Sequence, residues 1–226
     1  SYDIEIYNDL PEGGTKDFSQ IIPSVAAVCT CTEDVQFFYD EPYMTKETAK
    51  LLVLEMMDWY KKGYVPFTWN GLSFDFPLLA SYSGMVEECA KLALHHVDAM
   101  FLVVCHRGFN LGLDAALIGA GLETKTHTVT LNDKTVFSDM NGSKAPELWR
   151  NGEYEAVRTY LKGDVVQPLK LTVAIEMRRG IKWTSKSGKP QFLITELLPV
   201  ISALTLPRPD TSWMSNPTKR EDYYSW

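Results

Sequence analysis

The feature that most constrains this chain is a change of hydrophobic period along it. Its first forty or so residues carry short runs of bulky and β-branched side chains broken by turn formers. Beyond them the apolar residues mostly recur at helical spacing. SYDIEIY predicts a strand closed by the turn NDLPEGG, and IIPSVAAVCTC and DVQFFYDE predict a hairpin. TKETAKLLVLEMMDWYKKG predicts a helix with Thr45 as N-cap, Glu47 at its positive end and Gly63 as its stop. Leu51, Leu52, Leu54, Met56 and Trp59 supply its roughly helical apolar spacing. YVPFTW reads as another strand, and a helix between it and DVQFFYDE serves as a crossover that places these two strands parallel. Further helices are expected over about residues 74–83, 86–94, 99–105, 113–120 and 153–179, with Pro168 kinking or interrupting the last. GIKWTSKSGKPQFL predicts a hairpin around Ser187-Gly188, and the Pro- and aromatic-rich tail beyond it is expected to pack along the surface. No repeat or linker intervenes, so the expected division is a main domain, 1–180, with a C-terminal hairpin and tail, 181–226, packed on it.

With 45% hydrophobic residues in 226, the chain has ample material for a buried core. Its 22 Lys and Arg against 29 Asp and Glu give a net charge of -7, which argues against a generally cationic surface for membranes or nucleic acid. A polyanionic partner would need positive charge gathered locally. No apolar run reaches the length of a membrane span, and SYDIEIYND is not a signal peptide. Cys29, Cys31, Cys89 and Cys105 form no CxxC pair, so buried thiols in a reducing, intracellular compartment are expected.

Three segments place acids suggestively. In Asp3-Ile4-Glu5, strand alternation sends both carboxylates to one face, where they repel unless a cation or solvent relieves them. In Trp69-Asn70-Gly71-Leu72-Ser73-Phe74-Asp75 a strand runs through Asn-Gly into a helix. Asp75 then sits in the first helical turn at the strand's carboxyl end, a place for ligands in α/β sheets and also for an acid that answers the helix dipole. Tyr160 and Asp164 are four apart on a long helix and share a face. Gly163 between them costs roughly 1 kcal/mol against Ala, which marks close approach of another backbone or a ligand.

Taken in order, D-x-E on the first strand, N-x-x-x-F-D at a strand-to-helix junction and Y-x-x-x-D late on a helix resemble the signature of the DEDD 3′-5′ exonucleases. The resemblance is to the tyrosine branch, which includes DNA polymerase proofreading domains and ribonuclease D-like enzymes; the histidine branch would want His where Thr159 stands. It runs from about Ser1 to Arg179 and extends to HHVDAMF, NLGLDAALIGAGL and SKAPELWRNGEYEAVRTYLKGDV. It implies a ribonuclease H-like α/β fold, with three antiparallel strands and then parallel strands, flanked by helices. The implied activity is two-metal release of nucleoside 5′-monophosphates from single-stranded DNA 3′ ends. By residue match Asp3, Glu5, Asp75 and Asp164 take the ligand positions for two divalent ions, Mg²⁺ or Mn²⁺, with Asp3 bridging. Tyr160 takes the position that holds the attacking water, and Asn70 and Phe74 fall near the terminal nucleotide, although a Phe opening a helix equally suits a core. An exoribonuclease that trims RNA 3′ ends, or a non-catalytic nucleic-acid-binding domain derived from an exonuclease, are the alternatives. A start at Ser1 without Met fits a trimmed stand-alone nuclease, cytoplasmic or nucleoid-associated, or a piece of a larger replication or repair protein.

From Met177 to Gln191 the chain holds Arg178, Arg179, Lys182, Lys186 and Lys189, no acid, and Trp183 in the middle. This is either a grip on a phosphate backbone with a stacking aromatic or a solvated hairpin whose Trp turns inward. Neither Cys29-Thr30-Cys31 nor His95-His96 has zinc spacing. Asp98 and Asp114 are expected to face helix starts, and Asp139 is a further acid outside the motifs.

Overall fold

The computed structural model describes residues 1–11, 16–30 and 34–224. Strands β1 (Tyr2–Ile6), β2 (Pro23–Cys29) and β3 (Val35–Tyr39) form an antiparallel sheet in that order. β2 is buried along its whole length because both faces of the sheet are covered, which is why it reads as a continuous apolar run. Alternation divides its side chains between two cores. Ala26 and Val28 join Tyr2, Ile4 and Ile6 on one face, while Val25, Ala27 and Cys29 enter the other. Residues 12–15, where the turn NDLPEGG is expected, and 31–33, Cys31 included, lie outside the described residues.

Helix α1 (Lys46–Lys61) begins as expected, with Thr45 Oγ1 accepting the Thr48 N–H at 3.2 Å. It buries Ala49, Leu52, Val53 and Met56 against the first core and leaves Leu51 and Leu54 exposed, so its apolar stripe is narrower than its composition. β4 (Phe67–Thr68) follows, then α2 (Asp75–Ser83), α3 (Val86–His95) and β5 (Val97–Asp98). The parallel partner of β4 is β5, with Phe67 opposite Val97, rather than β3. The crossover that makes this pairing is α2 with α3, and a two-residue β5 is too short to show a period in sequence.

Helices α4 (Ala99–Arg107) and α5 (Leu113–Ala120) lie where expected; a small hairpin, β6 (Val129–Thr130) with β7 (Val136–Phe137), and the short α6 (Ala145–Arg150) were not anticipated. α7 (Tyr154–Arg178) continues through Pro168 without interruption. The proline leaves the Asp164 carbonyl without its helical donor, yet α7 packs against β1, β2, β3, α5 and the following strand, and that packing carries it through. Strands β8 (Gly180–Thr184) and β9 (Pro190–Ile194) make the expected hairpin, with Gly188 at φ 78° in its turn. Ile181, Trp183 and Leu193 share a core with Leu117 of α5 and Leu171 and Ile175 of α7. Gly119 permits that contact, since a Cβ there would lie 1.8 Å from the Lys182 carbonyl oxygen.

After α8 (Val200–Ala203) the tail is mostly exposed and is pinned by two buried side chains, Arg220 and Tyr223. The buried Arg220 guanidinium donates to the carbonyls of Cys105, Leu204, Leu206 and Pro207, and Tyr223 packs on Phe101 with its hydroxyl donating to Asn110. Among the described residues no helix is long and apolar enough to cross a membrane.

Candidate active site

Asp3 pairs across the sheet with Ala27 and Glu5 with Val25, and those two residues pack on the side covered by α7. The alternation that buries Ile4 on one face therefore delivers both acids to the face where α7 presents Tyr160 and Asp164. Carboxylate oxygens of Asp3, Glu5 and Asp164 lie within 4.8 Å of one another. Asp75, the first residue of α2, stands outside that triple. Its Oδ1 accepts the Ile4 N–H at 3.0 Å and so ties α2 to β1. These four acids, Tyr160, Asn70 and Phe74 line a single cleft of about 310 Å³.

The loop that carries Asn70 is held by Asp98. As expected, Asp98 caps α4, accepting the Phe101 N–H at 3.0 Å; it also accepts the N–H groups of Asn70 and Leu72, each at 3.0 Å. Thr68 Oγ1 accepts the Gly71 N–H at 3.1 Å, an approach so close that a Cβ on Gly71 would lie 2.6 Å from the same oxygen. Asn70 adopts φ 81°, in the left-handed region that Asn tolerates better than most residues. Its Oδ1 accepts the Ser73 hydroxyl at 2.6 Å, while no hydrogen bond among the described residues uses its Nδ2. Phe74 is half-buried: its ring meets Phe18 edge-on at 5.6 Å and also reaches the cleft wall, so it serves core and cleft together.

Sequence reasoning missed Lys125. Its Nζ lies 2.8 Å from Asp164 Oδ2 and donates to the Tyr160 hydroxyl at 3.0 Å. The available signal was Gly163, where a Cβ would come within 2.3 Å of Thr126 Oγ1. The helical glycine thus admits the 125–126 segment against α7 and sets Lys125 beside Asp164. Asp114 lies in the first turn of α5, as expected, and from there also supports the same segment. Its Oδ1 accepts the Lys125 N–H at 2.8 Å, and its Oδ2 lies 2.9 Å from His127 Nε2. Asp139 is exposed and does not line the cleft.

The cleft lining holds one lysine and four carboxyl groups. Burial pushes Asp3 and Glu5 well above the usual carboxylate range, and repulsion from the neighbouring acids adds to it. Burial also raises Asp164, against the opposing pull of Lys125. Asp75 is pushed up to about 7 by burial and by Asp98, with hydrogen bonds to Asp3 and the Ile4 N–H partly offsetting the rise. Burial alone would lower Lys125, but Asp164, Asp3 and Glu5 raise it, so it stays a cation. Burial, followed by the acids around it, raises Tyr160 and keeps its hydroxyl protonated. Asp164 Oδ1 is buried without a hydrogen-bond partner. An under-neutralised set of oxygen donors of this kind suits hard divalent cations.

Two other features resolve plainly. Trp183 turns inward, edge-on to Phe109 at 6.0 Å, and His96 is buried against Phe76 and Thr68. No family model matches the chain, and no curated protein or solved structure matches it either.

Proposed function

We propose that this chain is a metal-dependent 3′-5′ exonuclease of the DEDD type, tyrosine branch, on a ribonuclease H-like scaffold, acting on single-stranded DNA ends. The observation that carries the reading is convergence. Asp3, Glu5, Asn70, Phe74, Asp75, Tyr160 and Asp164, the residues that carry the sequence resemblance, all line one cleft. The donor set also fits the implied metal. It consists of carboxylate oxygens only, its ionisation is opposed by burial and mutual repulsion, and it includes the orphaned Asp164 Oδ1. Asp3, Glu5, Asp75 and Asp164 would hold the ions. When bound, two such ions supply activation of a water and stabilisation of charge on the departing 3′-oxygen.

The remaining roles fall to the chain's own groups. The Tyr160 hydroxyl, kept protonated, orients the attacking water by hydrogen bonding. Lys125 occupies Asp164 Oδ2 and favours the ionised carboxylate, leaving Oδ1 as a lone-pair donor. Asn70 Nδ2 donates to the terminal nucleotide, and the cleft side of Phe74 packs against it. The products are nucleoside 5′-monophosphates.

The test is release of mononucleotides from matched single-stranded DNA and RNA with Mg²⁺, Mn²⁺ or chelator. Asp164→Ala is expected to lower release by more than about a hundredfold with the circular dichroism spectrum unchanged. Retained turnover in a folded Asp164→Ala protein would overturn the reading. Faster release from RNA than from DNA would reassign the substrate to RNA ends.

A further inference from the structure

The register of the β8–β9 hairpin pairs Lys182 with Phe192, Gly180 with Ile194 and Thr184 with Pro190, so these six residues share its outward face. Trp183, the aromatic that the sequence offered for stacking, is on the other face and buried. Phe192 is 44% exposed, and its ring lies over Gly180, where a Cβ would come within 2.7 Å of it. The bare glycine thus seats one side of the ring and leaves the other open. Arg107 Nη2 donates to the Phe192 carbonyl at 3.4 Å and brings an exposed cation to the edge of β9. Lys186 and Lys189 are exposed at the turn of the hairpin, and none of its three lysines forms an ion pair among the described residues. In a chain of net charge -7, this is a local concentration of unneutralised cations around an exposed, fixed aromatic ring.

The hairpin is tied to the cleft by α5, which packs on its inward face. At one end of that helix Gly119 touches the β8 backbone, and at the other Asp114 holds the Lys125 segment against Asp164. Along α7, Arg178 lies about 21 Å beyond Asp164 at 1.5 Å per residue. That distance corresponds to about six stacked nucleotides.

We infer that this hairpin face binds the single strand several nucleotides upstream of the 3′ end, with Phe192 as a base-stacking platform and Arg107, Lys182, Lys186 and Lys189 contacting phosphates. The inference rests on the exonuclease reading and extends it from the terminal nucleotide to the strand behind it. Aromatic stacking and salt-dependent phosphate contacts are the general means of holding single strands without sequence preference.

The test measures binding of a fluorescent oligothymidylate of about 20 nucleotides in chelator across a salt series, alongside mononucleotide release from a trinucleotide with Mn²⁺. Phe192→Ala is expected to weaken oligothymidylate binding about 5- to 100-fold. The double variant Lys186→Ala, Lys189→Ala is expected to reduce the slope of log affinity against log salt by about 1.4. Both should leave release from the trinucleotide, which is too short to reach the hairpin, at the level of the unsubstituted protein. If the variants bind the long strand with unchanged affinity and slope while the unsubstituted protein degrades it, the inference falls and the exonuclease reading stands. Variants that alter self-association but not strand binding would assign the face to a second copy of the chain and equally overturn it. If the hairpin variants lose binding but no protein releases mononucleotides, the strand site stands and the exonuclease reading falls.

Discussion

A methyl group added at Gly163 would come within 2.3 Å of the Thr126 hydroxyl, in the segment that sets Lys125 against Asp164. Helix propensity alone favours Gly163→Ala by about 1 kcal/mol. The clash opposes that gain and moves Lys125 away from the acid it pairs with. Gly163→Ala is therefore expected to lower mononucleotide release about 10- to 100-fold, mainly in kcat, as loss of a group supporting metal ligands does. Full activity in this variant would show that Lys125 reaches Asp164 without that close approach. The glycine was legible in sequence as the mark of a near neighbour, because a helix seldom carries one without reason. The neighbour's identity was not legible, since Thr126 and Lys125 carry no local pattern and meet α7 only through the fold.

At the scale of elements, long segments declared themselves and two-residue strands did not. α1 shows its N-cap, its apolar face and its stop within one stretch of chain, whereas β5 offers only Val97 and Asp98. Yet Asp98 joins β5 to two other elements by accepting N–H groups from Asn70, Leu72 and Phe101. Replacing it with Ala strands three donors, each costing about 1–3 kcal/mol when left unsatisfied in the interior. Asp98→Ala should lower unfolding free energy by about 3 kcal/mol or more in a denaturant titration and loosen the loop bearing Asn70. An unchanged midpoint would mean that Thr68 and Gly71 hold that loop unaided. α7 gives the converse lesson: Pro168 predicts a break that packing on the sheet and α5 suppresses.

For the whole molecule, the raised carboxyl groups make stability depend on pH and on metal. Asp3, Glu5, Asp75 and Asp164 bind protons more tightly folded than unfolded, so their stabilising contribution is complete below the unfolded carboxylate range of about 4. It is lost as pH rises through the folded values, which for Asp75 means about 7. Exposed acids such as Asp133 and Asp210, pulled down by hydrogen bonds, titrate below this window. The Ser1 amine, lowered by burial to about 6, and the lowered His96 and His106 act against the four acids within it and are outnumbered by them. The metal-free protein should therefore melt at a lower temperature at about pH 8 than at about pH 5.5. Mg²⁺ or Mn²⁺ should raise the melting temperature more at the higher pH, where fewer protons compete for the carboxylates. An equal rise at both pH values in calorimetry would count against ion binding by these acids. The sequence alone determined what is local: the capped helices, the strand whose alternation puts Asp3 and Glu5 on one face, and the helical spacing that aligns Tyr160 with Asp164. Which face of the terminal hairpin turns inward, which strand pairs with β4, and which cation meets Asp164 were decided only by the packed chain. Periodicity states which side chains travel together, but only contacts between distant segments determine what each face meets.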